Sequence, residues 1–118
     1  MANDKDFVLK NALEVGKDTK VTLGTITSGT VDLSTGNYFA ETLAANTTYV
    51  FSNAGDVQSF QLEVTGASTY TITWPSSVEW TAGAAPSAPA AGETDVYTFV
   101  TDDSGTSYIG LQTADNLS

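Results

Sequence analysis

The sequence predicts an all-β fold, an antiparallel β-sandwich of jelly-roll type with an extended N-terminal segment. Three observations predict it. Apolar and polar residues alternate with period two, the mark of strands with one buried face. Turn sequences punctuate the alternating runs at regular spacing. Only Asn11–Val15 carries any helical spacing.

The segment Asp4–Thr25 comes first. Phe7-Val8-Leu9, Ala12-Leu13, Val15 and Val21-Thr22-Leu23 are short apolar clusters between charged residues. Residues 1–25 read either as an attachment arm that pairs with a neighbouring subunit or as an ordinary first hairpin. Residues 26–118 form the expected sandwich domain. Within it, Thr47–Phe51 sets Tyr49 and Phe51 on one face. Ser59–Thr65 directs Phe60, Leu62 and Val64 one way and Gln61, Glu63 and Thr65 the other. Tyr70, Ile72 and Trp74 repeat the pattern, and Pro75 ends that strand because it has no N–H to donate. Val78 and Trp80 make a further short pair. Thr81–Gly92, with Pro86 and Pro89, is too rich in Ala, Pro and Gly for a ladder and reads as an ordered surface loop. Thr94–Thr101 sets Tyr97 and Phe99 against Val96, Thr98 and Val100. Asp102-Asp103-Ser104-Gly105 then joins it to Tyr108–Leu111 as a β-hairpin.

Composition narrows the function. The 118-residue chain has no histidine, cysteine or arginine, and its four lysines are Lys5, Lys10, Lys17 and Lys20. Asp4, Asp6, Glu14 and Asp18 balance them, so the formal charge of -10 falls on the remainder. Such a body repels phosphate, which excludes nucleic acid and anionic membrane as partners. Triads built on histidine and zinc sites built on histidine and cysteine are excluded too, and so is a phosphate loop. A glycosidase-like carboxylate pair is the one catalytic chemistry left, and Asp95, Asp102 and Asp103 are candidates for it only because they are carboxylates. No catalytic residue, metal or cofactor is expected. The Asp102–Gly105 loop lacks the spaced carboxylates of a calcium loop and reads as a self-capped turn. Trp74 continues a core alternation. Trp80 has two readings, a core or interface residue and a ring that stacks on a ligand. The polar N-terminus has no signal-peptide pattern, so synthesis in the cytosol is expected.

Asp32-Leu-Ser-Thr-Gly-Asn-Tyr-Phe39, Asn46-Thr-Thr-Tyr-Val-Phe-Ser-Asn53, Ser59-Phe-Gln-Leu-Glu-Val-Thr-Gly66, Tyr70-Thr-Ile-Thr-Trp-Pro75 and the Asp95–Gly110 hairpin follow one another in a particular order. In that order they resemble a β-rich domain of virion structural proteins of marine tailed phages, cyanophages among them. The resemblance spans residues 7–112. It implies a non-enzymatic protein of the virion surface, in size most similar to the decoration proteins of phage heads. A tail-fibre or other appendage subunit and a glycan-binding adhesin domain are the alternatives. The implied partners are the major capsid protein or neighbouring virion proteins and further copies of the chain, a trimer above all. Phe7, Val8, Leu9, Lys10, Leu13, Lys17 and Lys20 are the expected interface residues.

Overall fold

The computed structural model describes residues 21–118. It is an all-β sandwich. Ten strands follow in order: β1 Thr25–Thr27, β2 Thr30–Asp32, β3 Tyr38–Thr42, β4 Thr47–Thr48, β5 Val50–Ser52, β6 Gln58–Thr65, β7 Ile72–Thr73, β8 Val78–Trp80, β9 Thr94–Thr101 and β10 Tyr108–Leu117. The larger layer is a five-stranded sheet in the order β3-β6-β9-β10-β8. Opposite it stand the sheet β1-β2-β5 and the pair β4-β7.

Strand direction is mixed. β6–β9, β9–β10 and β1–β2 are antiparallel, whereas β3–β6, β8–β10, β2–β5 and β4–β7 are parallel. A uniformly antiparallel arrangement was the expectation. Period-two alternation reports which face of a strand is buried, and it is blind to the direction of the neighbour.

The core forms where the alternations meet. Phe60, Leu62 and Val64 of β6 are buried, and so are Tyr97 and Phe99 of β9. The register sets Phe60 opposite Phe99 and Leu62 opposite Tyr97. The Phe60 and Phe99 rings stack at 5.1 Å. Phe51 reaches across from β5 and meets Phe60, Phe99 and Tyr108 edge-on at 5.0, 4.9 and 5.1 Å. That ring cluster joins the two layers. Offset and edge-to-face contacts of this kind add to the area that each ring buries.

Gly110 lets the far side of the core close. It lies on β10 between Phe99 of β9 and Trp80 of β8. A Cβ there would stand 2.7 Å from Val78 Cγ1 and 3.1 Å from Phe99 Cε1. With no side chain in the way, the Trp80 and Phe99 rings meet over β10 at 5.5 Å. The loop after Trp80 starts with a short 3-10 turn, Thr81–Gly83. It returns to the sheet at Gly66, where Gly92 N–H donates to Gly66 O at 2.8 Å and Gly66 N–H donates to Glu93 O at 2.9 Å. Any Cβ on Gly66 would meet the carbonyl oxygen of Ala90 at 2.3 Å.

At the other edge, Val21–Gly24 runs beside β3. Leu23 bridges Tyr38 in parallel, and Gly24 N–H donates to Tyr38 O at 2.8 Å. The remaining expected features of the N-terminal segment, the weak helical spacing at Asn11–Val15 and the interface residues Phe7, Val8, Leu9, Lys10, Leu13, Lys17 and Lys20, lie outside the described residues.

Candidate functional site

The body's acidic side chains are its main chemical resource, and most of them brace its own backbone or its tyrosines. Asp32 closes the turn after β2. Its Oδ1 accepts from Ser34 Oγ at 2.6 Å, Ser34 N–H at 3.0 Å and Asn53 Nδ2 at 3.0 Å. Led by the Ser34 hydroxyl, these donors hold the carboxyl below its ordinary pKa. Asp103 does the same inside the β9–β10 loop. Its Oδ1 accepts from Ser107 N–H and Thr101 Oγ1, both at 2.9 Å, and its Oδ2 accepts from Ser107 Oγ at 2.7 Å. Its pKa is lowered, chiefly by the Ser107 N–H. With Ser104 and Gly105 at φ 60° and 83°, the loop is a self-capped turn. Among the described residues no three acidic side chains converge on a point that could hold a cation.

Two glutamates anchor tyrosines. Tyr38 OH donates to Glu63 Oε1 at 2.7 Å, and that bond raises the Tyr38 pKa. The buried Tyr49 donates to Glu41, and its hydroxyl is pushed far up, first by burial and then by this bond. An open cleft of about 380 Å³ lies between the Ser28–Gly29 turn and residues 41–48. Glu41 is the one ionisable group that lines it, and Tyr49 already occupies that carboxylate.

Asp95 is a different case. It faces the core at the start of β9 and is 2% exposed. Asn116 N–H donates to its Oδ1 at 2.8 Å, and Tyr97 OH to its Oδ2 at 3.3 Å. Burial raises its pKa against the pull of the Asn116 bond, and nearby Asp115 raises it further. The three carboxylates considered for catalysis are not brought together. Asp102 and Asp103 sit seven or more residues along β9 from Asp95, roughly 20 Å at ~3.3 Å per residue.

The tryptophans pack on the core and on each other. Trp74 stacks on Tyr49 at 5.3 Å and meets Trp80 at 5.1 Å and Tyr97 at 4.8 Å. Trp80 is half-buried, with its ring edge-on to Trp74, Tyr97 and Phe99. Three aromatic neighbours fix its orientation, and part of the ring is left in contact with solvent.

The feature that sequence reasoning passed over is the outer face of the β9–β10 hairpin. Val96, Thr98 and Val100 of β9 point away from the core, beside Ile109, Leu111, Ala114 and Leu117 of β10. None carries a charge. The signal was present in the sequence, because apolar residues on both faces of a strand indicate that both faces are covered.

No family model, no curated protein and no solved structure matches this chain.

Proposed function

We propose that the chain is a non-enzymatic structural protein of a tailed-phage virion surface, a small decoration protein of the head. Its partners in this reading are the major capsid protein or neighbouring virion proteins, together with further copies of itself. The observation that supports it best is the use made of the body's ten carboxylates. Asp32, Glu41, Asp56, Glu63, Glu93, Asp95 and Asp103 all accept hydrogen bonds from the chain's own backbone or side chains. An acid devoted to a turn or a tyrosine is a poor proton donor to a substrate, because protonating or moving it breaks the structure that holds it. What such a body offers a partner is a rigid anionic surface, suited to covering and shielding. The order of the strand segments supports the phage kinship.

Quantifying the chain in purified particles tests this reading. A copy number that matches the capsid lattice is the expected result, with the protein released intact and folded. A few copies per particle would move it to a fibre or other appendage. Absence from particles would end the virion reading altogether. A glycan-binding domain turns on the solvent-facing part of Trp80. Glycan-array binding that disappears in a folded Trp80→Ala variant would favour that role over shielding.

A further inference from the structure

The far end of β10 is fastened to the sheet through a side chain. Between Ala114, opposite Val96, and Leu117, opposite Thr94, β10 advances three residues while β9 advances two. The extra residue makes a bulge, with Asn116 in the left-handed region at φ 57°. A bulge takes an N–H out of the ladder, and here the Asn116 N–H donates to Asp95 Oδ1 at 2.8 Å. Little else holds the strand beyond that point. Asp115, Asn116, Leu117 and Ser118 are all exposed. Segments with so few buried contacts are the first to open.

Asp95, the anchor, is 2% exposed. A carboxylate has about four lone-pair sites to fill. Among the described residues, only the Asn116 bond and a long one from Tyr97 OH, at 3.3 Å, fill them. The titratable groups that face Asp95 are Tyr97 on its own strand and Asp115 on β10, whose carboxyl is within hydrogen-bonding reach. Val64, opposite on β6, is apolar. Tyr49 lies one step further, near Tyr97, with its hydroxyl on Glu41. No side chain among the described residues carries a positive charge. Two ionised carboxylates in that place repel each other, whereas a protonated one is a donor to its neighbour.

We infer that residues 115–118 are an acid-closed clasp: one proton shared between the Asp95 and Asp115 carboxyls holds them on β9, and its loss releases them. The Asn116 N–H needs only an oxygen, which either form of Asp95 supplies. The proton adds a bond from one carboxyl to the other and removes the repulsion between them. Once it leaves, Asp115 turns into solvent, where its charge is hydrated, and takes Asn116 and Leu117 with it. Release bares the backbone edge of β9 at Thr94–Val96, a row of groups that another strand can join. Burial first, and Asp115 after it, keep the proton on Asp95 above the ordinary Asp value of 3.8. The closed form is therefore favoured at low pH. Its closing constant falls by about tenfold for each pH unit above 3.8 until the raised value is reached. The clasp is a property of the fold and is independent of any place in a virion.

Amide exchange followed by NMR on the full chain, between about pH 3 and pH 8, tests it. Each rate is divided by that of an unstructured peptide at the same pH. Protection of the Asn116 N–H should fall by about tenfold per pH unit in a window that opens near 3.8, while amides of β6 and the middle of β9 keep theirs. In Asp115→Asn the window should move down and Asn116 should be severalfold better protected at pH 7. In Asp95→Asn, whose amide donates to Asp115 at any pH, Asn116 should stay protected throughout. Protection of Asn116 that is absent or independent of pH, a fall that is the same in Asp115→Asn, or a simultaneous loss of protection across β6 and β9 would each overturn the inference. Asp115 is exposed, so its variant and the wild-type profile decide the matter even if Asp95→Asn fails to fold.

Discussion

Asp95 and Asp103 show one residue type in opposite roles. Asp103 is exposed, and its lowered pKa comes from hydrogen bonds to its charged form, with the Ser107 N–H first. It therefore contributes stability above the ordinary Asp value of 3.8, and loses it as pH falls through the folded value. Asp32 acts in the same direction, through Ser34. Asp95 has the opposite sign. Its raised pKa means that the folded state holds the proton more tightly than the unfolded chain does. Its contribution is full below 3.8 and is lost as pH rises through the folded value. At neutral pH Asp95 is then a buried charge near a second carboxylate. Asp95→Asn keeps an oxygen for Asn116 N–H and places an N–H donor near Asp115. The variant should have a higher Tm than the parent at pH 7, and the gain should shrink below pH 4. Thermal melts of both proteins across that range check it, and a variant less stable at pH 7 would contradict it.

At the scale of elements, β10 carries the sheet and depends on a missing side chain. It pairs with β9 on one side and β8 on the other, and Gly110 is the point where Trp80 and Phe99 meet over it. Gly110→Val would drive branched methyl groups into Val78 and Phe99 and separate the two rings. The expected cost is about 1–3 kcal/mol, the usual range for overpacking. Urea unfolding measures it, and the loss of Trp80 packing should appear as a red shift in tryptophan emission. Thr98→Ala, on the outer face of β9, should cost less than 1 kcal/mol, because it removes one hydroxyl contact, to Thr113, and leaves the core intact.

For the whole molecule, Phe60 is a point where side chains of the two layers meet. Phe60 touches the rings of Phe39, Phe51, Phe99 and Tyr108, which come from both sheets. Phe60→Ala should cost about 3–5 kcal/mol. A domain of this size has roughly 5–15 kcal/mol in all, so the variant should melt far below the parent and have little margin at 37 °C. Circular dichroism melts and urea titrations check it. A cost under about 1 kcal/mol would mean that the layers are held together elsewhere.

The sequence alone determined the fold class, the inward face of β6 and β9, the β9–β10 hairpin and the loop after Trp80. Each is a local property, set by side chains two residues apart or by turn residues a few positions long. Strand direction, the meeting of Trp80 and Phe99 over Gly110, the burial of Asp95 and the grip of Glu41 on Tyr49 were decided only by the tertiary structure. These depend on which strand lies beside which, and residues far apart in sequence carry no local mark of their future neighbours. The outer strip lies between the two cases. Its valines were visible in the alternation, but that they share one face with Ile109 and Leu111 depends on β10 standing next to β9.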